Sequence, residues 1–260
     1  MATKYDNTVI QICIEGEKYN PVLKWNSYDE FCEACEKGID VDDNTPVKYA
    51  YISDNMVCTG GKFCETREMI HMVLSNKAVD RDSDKKRVLV VVDYQNDFVS
   101  GALGFAGAEK LDRGITSLIN EYLDSGDYVF ATFDTHDANY LDSQEGRKLP
   151  VRHCIMGEEG WKLYGETGRV CEANKNIKYI YKSTFGSSEL CTELQKLQDV
   201  ESVTLVGLVT NMCVISNAII AKAALPEAEI IVKKYLVDSS NKELHRNALD
   251  VMASMQITID

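Results

Sequence analysis

VLVVVD, residues 88–93, is five consecutive apolar residues closed by a carboxylate. A β-branched run of that kind is what a strand covered on both faces looks like. Before it lies AVDRDSDKKR (78–87), polar and charged with Val79 as its one large apolar residue, so 78–86 reads as a linker. After it the pattern alternates. Helical spacing covers 108–124 and 214–224, and strand-like runs follow at YVFATFD (128–134), NIKYIYK (176–182), SVTLVGLV (202–209) and EIIVKKYLVD (229–238). Ser240-Asn-Lys-Glu243 has the form of a capping box before a helix with Leu244, Ala248, Val251 and Met252 on one face, and QITI (256–259) reads as an edge strand. Strands alternating with helices predict a three-layer α/β/α domain over 87–260 with a parallel central sheet, whose site lies beyond the carboxyl ends of the strands.

Residues 1–77 have another texture. NTVIQICI (7–14) and VKYAYIS (47–53) read as strands, Ser27-Tyr-Asp-Glu30 as a capping box for a short helix ending at Gly38, and CETREMIHMVLS (64–75) as a helix. This is a small α+β domain of unknown role. Cys32-x-x-Cys35, with Cys58 and Cys64, has the look of half a zinc site. The two thiols also fall on the apolar face with Tyr28 and Phe31, and burial explains that spacing without metal. His71 and His245 read as helix surface or packing residues.

The 260 residues carry 41 acidic against 28 Lys and Arg side chains, a net charge of −13, with acids in excess on both sides of residue 86. Such a surface repels phosphate backbones and argues against nucleic acid as a partner. No apolar run approaches the roughly 18 residues a membrane span needs, and MATKYDN is not the start of a signal peptide. Nine scattered cysteines in a chain able to bury a full core predict reduced thiols and a cytoplasmic location.

The strand ends carry the chemistry. The first run ends in Asp93, the second in Asp134-Thr-His136, the third in Lys182, and the fourth leads into Val209-Thr-Asn-Met-Cys213, where Cys213 opens a helix. A carboxylate, an ammonium and a thiol on one sheet edge form a coherent set. The helix start and the ammonium are expected to lower the thiol pKa, the carboxylate to take the thiol proton, and amides of the tight turn to bind an oxyanion. Asp134, His136 and His153 together offer one carboxylate and two imidazoles, suited to Zn²⁺, Fe²⁺ or Mn²⁺.

On VVVDYQNDFVSGAL (90–103), TFDTHD (132–137), LPVRHCIMGEEGWKL (149–163), KSTFGS (182–187) and GLVTNMCV (207–214), residues 87–260 resemble the isochorismatase-like cysteine hydrolases, which include the nicotinamidases. The resemblance implies a catalytic triad of Asp93, Lys182 and Cys213. It also implies a cis peptide at Leu208–Val209, an oxyanion hole from the amides of Val209 and Cys213, and a divalent metal on Asp134, His136 and His153 that holds the pyridine nitrogen of a small amide. By resemblance the chain is also expected to form a homo-oligomer. Three departures stand out. Asp134-Thr-His-Asp137 lacks the aromatic of the family's D-W-H-P, Ser183 follows the lysine where nicotinamidases have Gly, and the loop 139–146 is unlike theirs. Phe98 and Tyr140 are the candidates to replace the missing substrate wall. The expected activity is hydrolysis of nicotinamide through a cysteine thioester. The alternatives are a relative acting on an N-carbamoyl or ureido compound, and a binding protein on a dead hydrolase scaffold. The intact triad speaks against the scaffold, and Cys213 against isochorismate cleavage.

Overall fold

The computed structural model describes residues 9–16, 22–52, 55–59, 61–67, 69–70 and 85–260, and the chain divides into two units, Met1–Asp82 and Ser83–Asp260. The first unit is built on strands β1 (Ile10–Ile14), β2 (Val22–Trp25), β3 (Val47–Ile52) and β4 (Asn55–Thr59), antiparallel in the order β2-β1-β3-β4. Alternation places Ile10 and Ile12 on one face, where they pack with Phe31, Ala50, Phe63 and Ile70. Phe31 comes from the helix Tyr28–Lys37, whose start is fixed by the Ser27 hydroxyl accepting from the Glu30 amide at 3.1 Å and whose end is Gly38 at φ 84°. Cys35 packs against this core, and among the described residues the unit has no group of three metal-ligating side chains. The helix expected over 64–75 is helical at 63–67 and 69–70; its remainder, with His71, lies outside the described residues, as do the Cys58 side chain and the expected linker up to residue 84.

The second unit holds β5 (Lys86–Val92), β6 (Tyr128–Asp134), β7 (Ile177–Lys182), β8 (Val200–Leu208), β9 (Glu229–Asp238) and β10 (Thr258–Ile259). They form one parallel sheet in the order β10-β9-β8-β5-β6-β7. Val88 to Val92 are all fully buried. Val88, Val90 and Val92 share a core with Leu190, Ala218 and Met252 of the helices Ser188–Leu194, Ile215–Ala224 and Lys242–Ser254. Leu89 and Val91 face the other way, toward the side covered by the helices Asp112–Asp124 and Gly165–Ala173, which pack on each other. Each residue buried this way contributes about 1.5–3 kcal/mol, so the unbroken run at 88–92 anchors the sheet.

Several boundaries differ from expectation for physical reasons. The helix expected at 108 begins at Asp112 after a 3₁₀ turn, Ala108–Leu111. The cap of the last helix is Asn241, whose side-chain oxygen accepts from the Glu243 and Leu244 amides at 3.0 Å each, so the box based on Ser240 does not form. On that helix Ala248 and Met252 are buried, whereas Leu244 and Val251 are about half exposed. The helix Gly165–Ala173 was not foreseen because it starts on a glycine and has no cap of its own. Asp112 caps it across space, accepting from the Glu166 and Thr167 amides at 2.9 Å each.

Candidate active site

The sheet register sets the site. Val92 lies beside Thr132 on one side and Gly207 on the other, and Asp134 lies beside Lys182, so β5, β6, β7 and β8 release their next residues at one edge. Gly207, at φ 107°, makes the close approach possible, because a Cβ there would fall 2.1 Å from the Val92 carbonyl oxygen. Asp93 leaves β5 in a left-handed conformation, φ 43°, which aims a wholly buried carboxylate across the edge.

Lys182 Nζ lies 2.6 Å from Asp93 Oδ2, 3.6 Å from Cys213 Sγ and 3.6 Å from Asp134 Oδ1, and donates to the Thr184 carbonyl at 3.0 Å. The Thr132 hydroxyl donates to Asp93 Oδ1 at 2.6 Å. Lys182 Nζ thus bridges Cys213 Sγ and Asp93 Oδ2. Three side chains far apart in sequence therefore meet at one point. Cys213 sits in a wide turn, Thr210–Val214, that follows a cis Leu208–Val209 peptide.

The electrostatics correct one expectation. Cys213 was expected to have a lowered pKa. Burial instead pushes the thiol well above its usual value, and the Asp93 charge adds to this while Lys182 opposes it. Burial likewise raises Asp93, against the pull of Lys182. Burial disfavours the Lys182 charge, yet Asp93, Cys213 and Asp134 more than restore it and keep the ammonium protonated. The Cys213 thiol is thus held in its neutral form beside Asp93 and the Lys182 ammonium.

A second cluster adjoins the first. Asp134 Oδ2 is 3.2 Å from His136 Nε2 and 3.3 Å from His153 Nε2, and Glu145 Oε1 is 3.8 Å from each imidazole. Four donors converge, three expected and one not: Glu145 comes from the irregular loop after β6, where no periodic pattern singled it out. The spacing suits a metal, since tetrahedral bonds of about 2.0–2.2 Å put ligand atoms roughly 3.3–3.6 Å apart. His153 Nδ1 lies 2.8 Å from the Val151 carbonyl, so Nδ1 carries the proton and Nε2 offers its lone pair to the cluster. Asp134 Oδ1 is buried with no hydrogen-bond partner among the described residues. Burial works against the Asp134 charge, but His136, His153 and Lys182 hold its carboxyl well below the usual range.

The rest of the Asp93 segment builds this second cluster. Gln95, fully buried, accepts from the Asp134 amide at 2.8 Å and donates to the carbonyls of Asp134 at 2.9 Å and Trp161 at 2.8 Å. Asp97 accepts from the Cys154 amide at 2.8 Å, next to His153. The His136 amide donates to Cys154 O and the Met156 amide to His136 O, which ties the two histidine segments together. Tyr140 packs its ring 4.6 Å from that of His136 and 4.9 Å from that of His153, and its hydroxyl donates to Leu149 O. Phe98 is buried edge-on against His153 at 5.7 Å. A cleft of about 340 Å³, open to solvent, is lined by His136, Tyr140, Glu145, Asp137, Thr135, Ser183 and Thr184.

Comparison with known proteins matches residues 87–260 to the isochorismatase domain. An uncharacterized isochorismatase family protein PncA of Bacillus subtilis is 32% identical over 178 residues, 65% of this chain and 95% of that protein. Among solved structures, the nicotinamidase/pyrazinamidase PncA from Bacillus subtilis matches at TM-score 0.61 and 31% identity, covering 67% of this chain and 98% of its own. The pyrazinamidase of Pyrococcus horikoshii in complex with zinc matches at TM-score 0.59 and 26% identity, over 67% of this chain and 98% of its own. N-carbamoylsarcosine amidase from Thermoplasma acidophilum matches at TM-score 0.56 and 26% identity, over 67% and 95%.

Proposed function

The chain belongs to the isochorismatase family and is a hydrolase of amide C–N bonds, and from that premise we propose that it hydrolyses nicotinamide to nicotinate and ammonia through a thioester on Cys213. The observation that carries this reading is Lys182 Nζ, held at once by Asp93 Oδ2 at 2.6 Å and Cys213 Sγ at 3.6 Å beside a four-donor cluster on the same sheet edge.

Asp93 takes the proton from the Cys213 thiol, and Lys182 steadies the thiolate that results. The sulfur attacks the amide carbonyl carbon, and the amides of Val209 and Cys213 receive the oxyanion. Asp93 returns its proton to the departing nitrogen, so ammonia leaves. It then takes a proton from water, which displaces the sulfur and releases the acid. The donor chemistry of Asp134, His136, His153 and Glu145 fits a divalent ion of the Zn, Fe or Mn kind. When bound there, it supplies a Lewis-acid contact for a pyridine ring nitrogen. Tyr140, against both imidazoles, and Phe98 behind His153 form the wall for a flat ring.

The cleft favours an uncharged amide. None of the described residues lining it is Lys or Arg, so the cleft offers no cationic side chain to pair with a substrate's own carboxylate. That observation weighs against N-carbamoyl and ureido acids, the second reading, to which the N-carbamoylsarcosine amidase likeness otherwise points. The test is ammonia release from nicotinamide, pyrazinamide, ureidoacrylate and N-carbamoylsarcosine, each with and without chelator. Turnover of nicotinamide and pyrazinamide, lost with chelator and regained with metal, is expected. Turnover of the ureido or carbamoyl compounds alone would overturn the assignment.

A further inference from the structure

The turn that carries the nucleophile is tied both from within and from outside. Within Thr210–Val214, Val209 O accepts from the Met212 amide at 3.1 Å and the Val214 amide at 3.2 Å, and the Ile215 amide donates to the carbonyls of Met212 and Thr210. Its inner end is tied by Asn217, whose Nδ2 donates to Cys213 O at 2.8 Å. Its outer end is tied by the segment after β9. Thr210 is wholly buried, and its hydroxyl lies 2.9 Å from His245 Nδ1. One residue on, Asn211 Oδ1 accepts from the Ser239 hydroxyl at 2.6 Å. Ser239 and His245 are fixed in turn. Leu208 pairs with Asp238 in the sheet, Asp238 Oδ1 accepts from the Ser239 amide at 2.8 Å, and the His245 amide donates to Asn241 O at 3.0 Å in the capped first turn of the helix.

We infer that His245, with Ser239 beside it, is a positioning residue that clamps the Cys213 turn, an assignment that rests on the amidase reading above. His245 reaches the nucleophile through Thr210 and touches no reacting atom. Without it the buried Thr210 hydroxyl loses its partner, and the turn is free to move Cys213 Sγ away from Lys182 and its own amide away from the oxyanion. A misplacement of this kind acts on the transition state more than on substrate binding. Burial, Asp238, Lys242 and Arg246 set the His245 charge, with the net effect of lowering its pKa. The imidazole is therefore neutral at neutral pH, and the clamp is a neutral hydrogen bond.

The test compares His245→Ala, His245→Asn, Thr210→Val and the double variant His245→Ala/Thr210→Val in the full chain. The Asn side chain places a polar atom near the position of Nδ1. Four quantities are read: kcat and KM for nicotinamide, melting temperature, and the iodoacetamide alkylation rate of Cys213 by peptide mass spectrometry. His245→Ala is expected to lower kcat about ten-fold with KM within about two-fold, the loss of one oriented contact. His245→Asn should restore most of it, and the double variant should be no slower than the worse single variant. Alkylation of Cys213 should change at least about three-fold in His245→Ala and return in His245→Asn, because a displaced sulfur leaves the burial, the Asp93 charge and the ammonium that together set its reactivity. Lower melting temperature with kcat per folded molecule and alkylation both unchanged would overturn the clamp, as would additive kcat losses in the double variant. If the wild-type chain releases no ammonia, the amidase reading fails, and the alkylation rates decide the clamp alone.

Discussion

Replacing Lys182 with Met removes the one Lys or Arg among the described residues that faces both buried carboxylates of the site. Lys182 Nζ lies 2.6 Å from Asp93 Oδ2 and 3.6 Å from Asp134 Oδ1, with both partners almost wholly buried. At an effective dielectric of about 20 the shorter contact alone is worth about 6 kcal/mol of attraction. Burying the charges offsets part of that, and breaking such a pair typically costs about 3–5 kcal/mol. The expected loss for Lys182→Met lies in that range, measured by urea unfolding at pH 8 with chelator present so that bound metal does not contribute. Its pH dependence has a definite sign. Without the ammonium, burial raises the folded-state pKa of Asp93 further above its unfolded value of about 3.9. The variant's folded state then keeps the Asp93 proton to higher pH than the wild-type folded state does, so the deficit grows as pH rises above the wild-type folded-state value, itself raised by burial, and is smallest at acid pH. Asp93→Asn/Lys182→Met should recover more than half the deficit, since no unpaired charge remains at Asp93. The reasoning fails if Lys182→Met costs less than about 1 kcal/mol at pH 8, if the deficit is flat with pH, or if the two substitutions simply add.

The acid limb of kcat/KM should have its midpoint above the ordinary aspartate value of about 3.9, because burial raises Asp93, and a limb at or below that value in stopped-time ammonia assays would exclude Asp93 as the base. Cys213 in the free protein should react with iodoacetamide more slowly at pH 8 than free cysteine does, since its thiol is held well above the usual pKa, and a faster reaction would contradict the neutral resting state. Glu145→Gln should weaken zinc binding at least about ten-fold in competition with a chromophoric chelator, and an unchanged affinity would remove Glu145 from the ligand set. Gln95→Ala should cost about 1–3 kcal/mol in urea unfolding, because it strips partners from the Asp134 and Trp161 backbone, and a change within error would refute that bracket.

Much of the site was legible because a parallel sheet turns a one-dimensional pattern into a three-dimensional address. Asp93, Asp134 and Lys182 each close an apolar run, and the register of β5, β6 and β7 brings the ends of those runs together. His136 and His153 carried their own signal as scarce imidazoles near a carboxylate. Glu145 did not, since it stands in a polar loop among other acids and only the folding back of 137–152 brings it to the cluster. The thiol was read with the wrong sign because sequence displays the neighbouring ammonium but not the depth of burial. Asn241 displaced Ser240 as the cap because both residue types fit an N-cap and only the path out of β9 decides between them. The helix Gly165–Ala173 was hidden because its cap, Asp112, is 53 positions or more away in sequence.

The covalent role proposed for Cys213 is open to direct observation. Enzyme mixed with excess nicotinamide and quenched in acid within the first turnovers should yield the peptide containing Cys213 with a nicotinoyl group on sulfur. Ammonia should appear ahead of nicotinate, and Cys213→Ala should show neither adduct nor turnover while unfolding at wild-type urea concentrations. Continued turnover in that folded variant, or an acyl group trapped on any other residue, would contradict the assignment of residue 213 as the nucleophile.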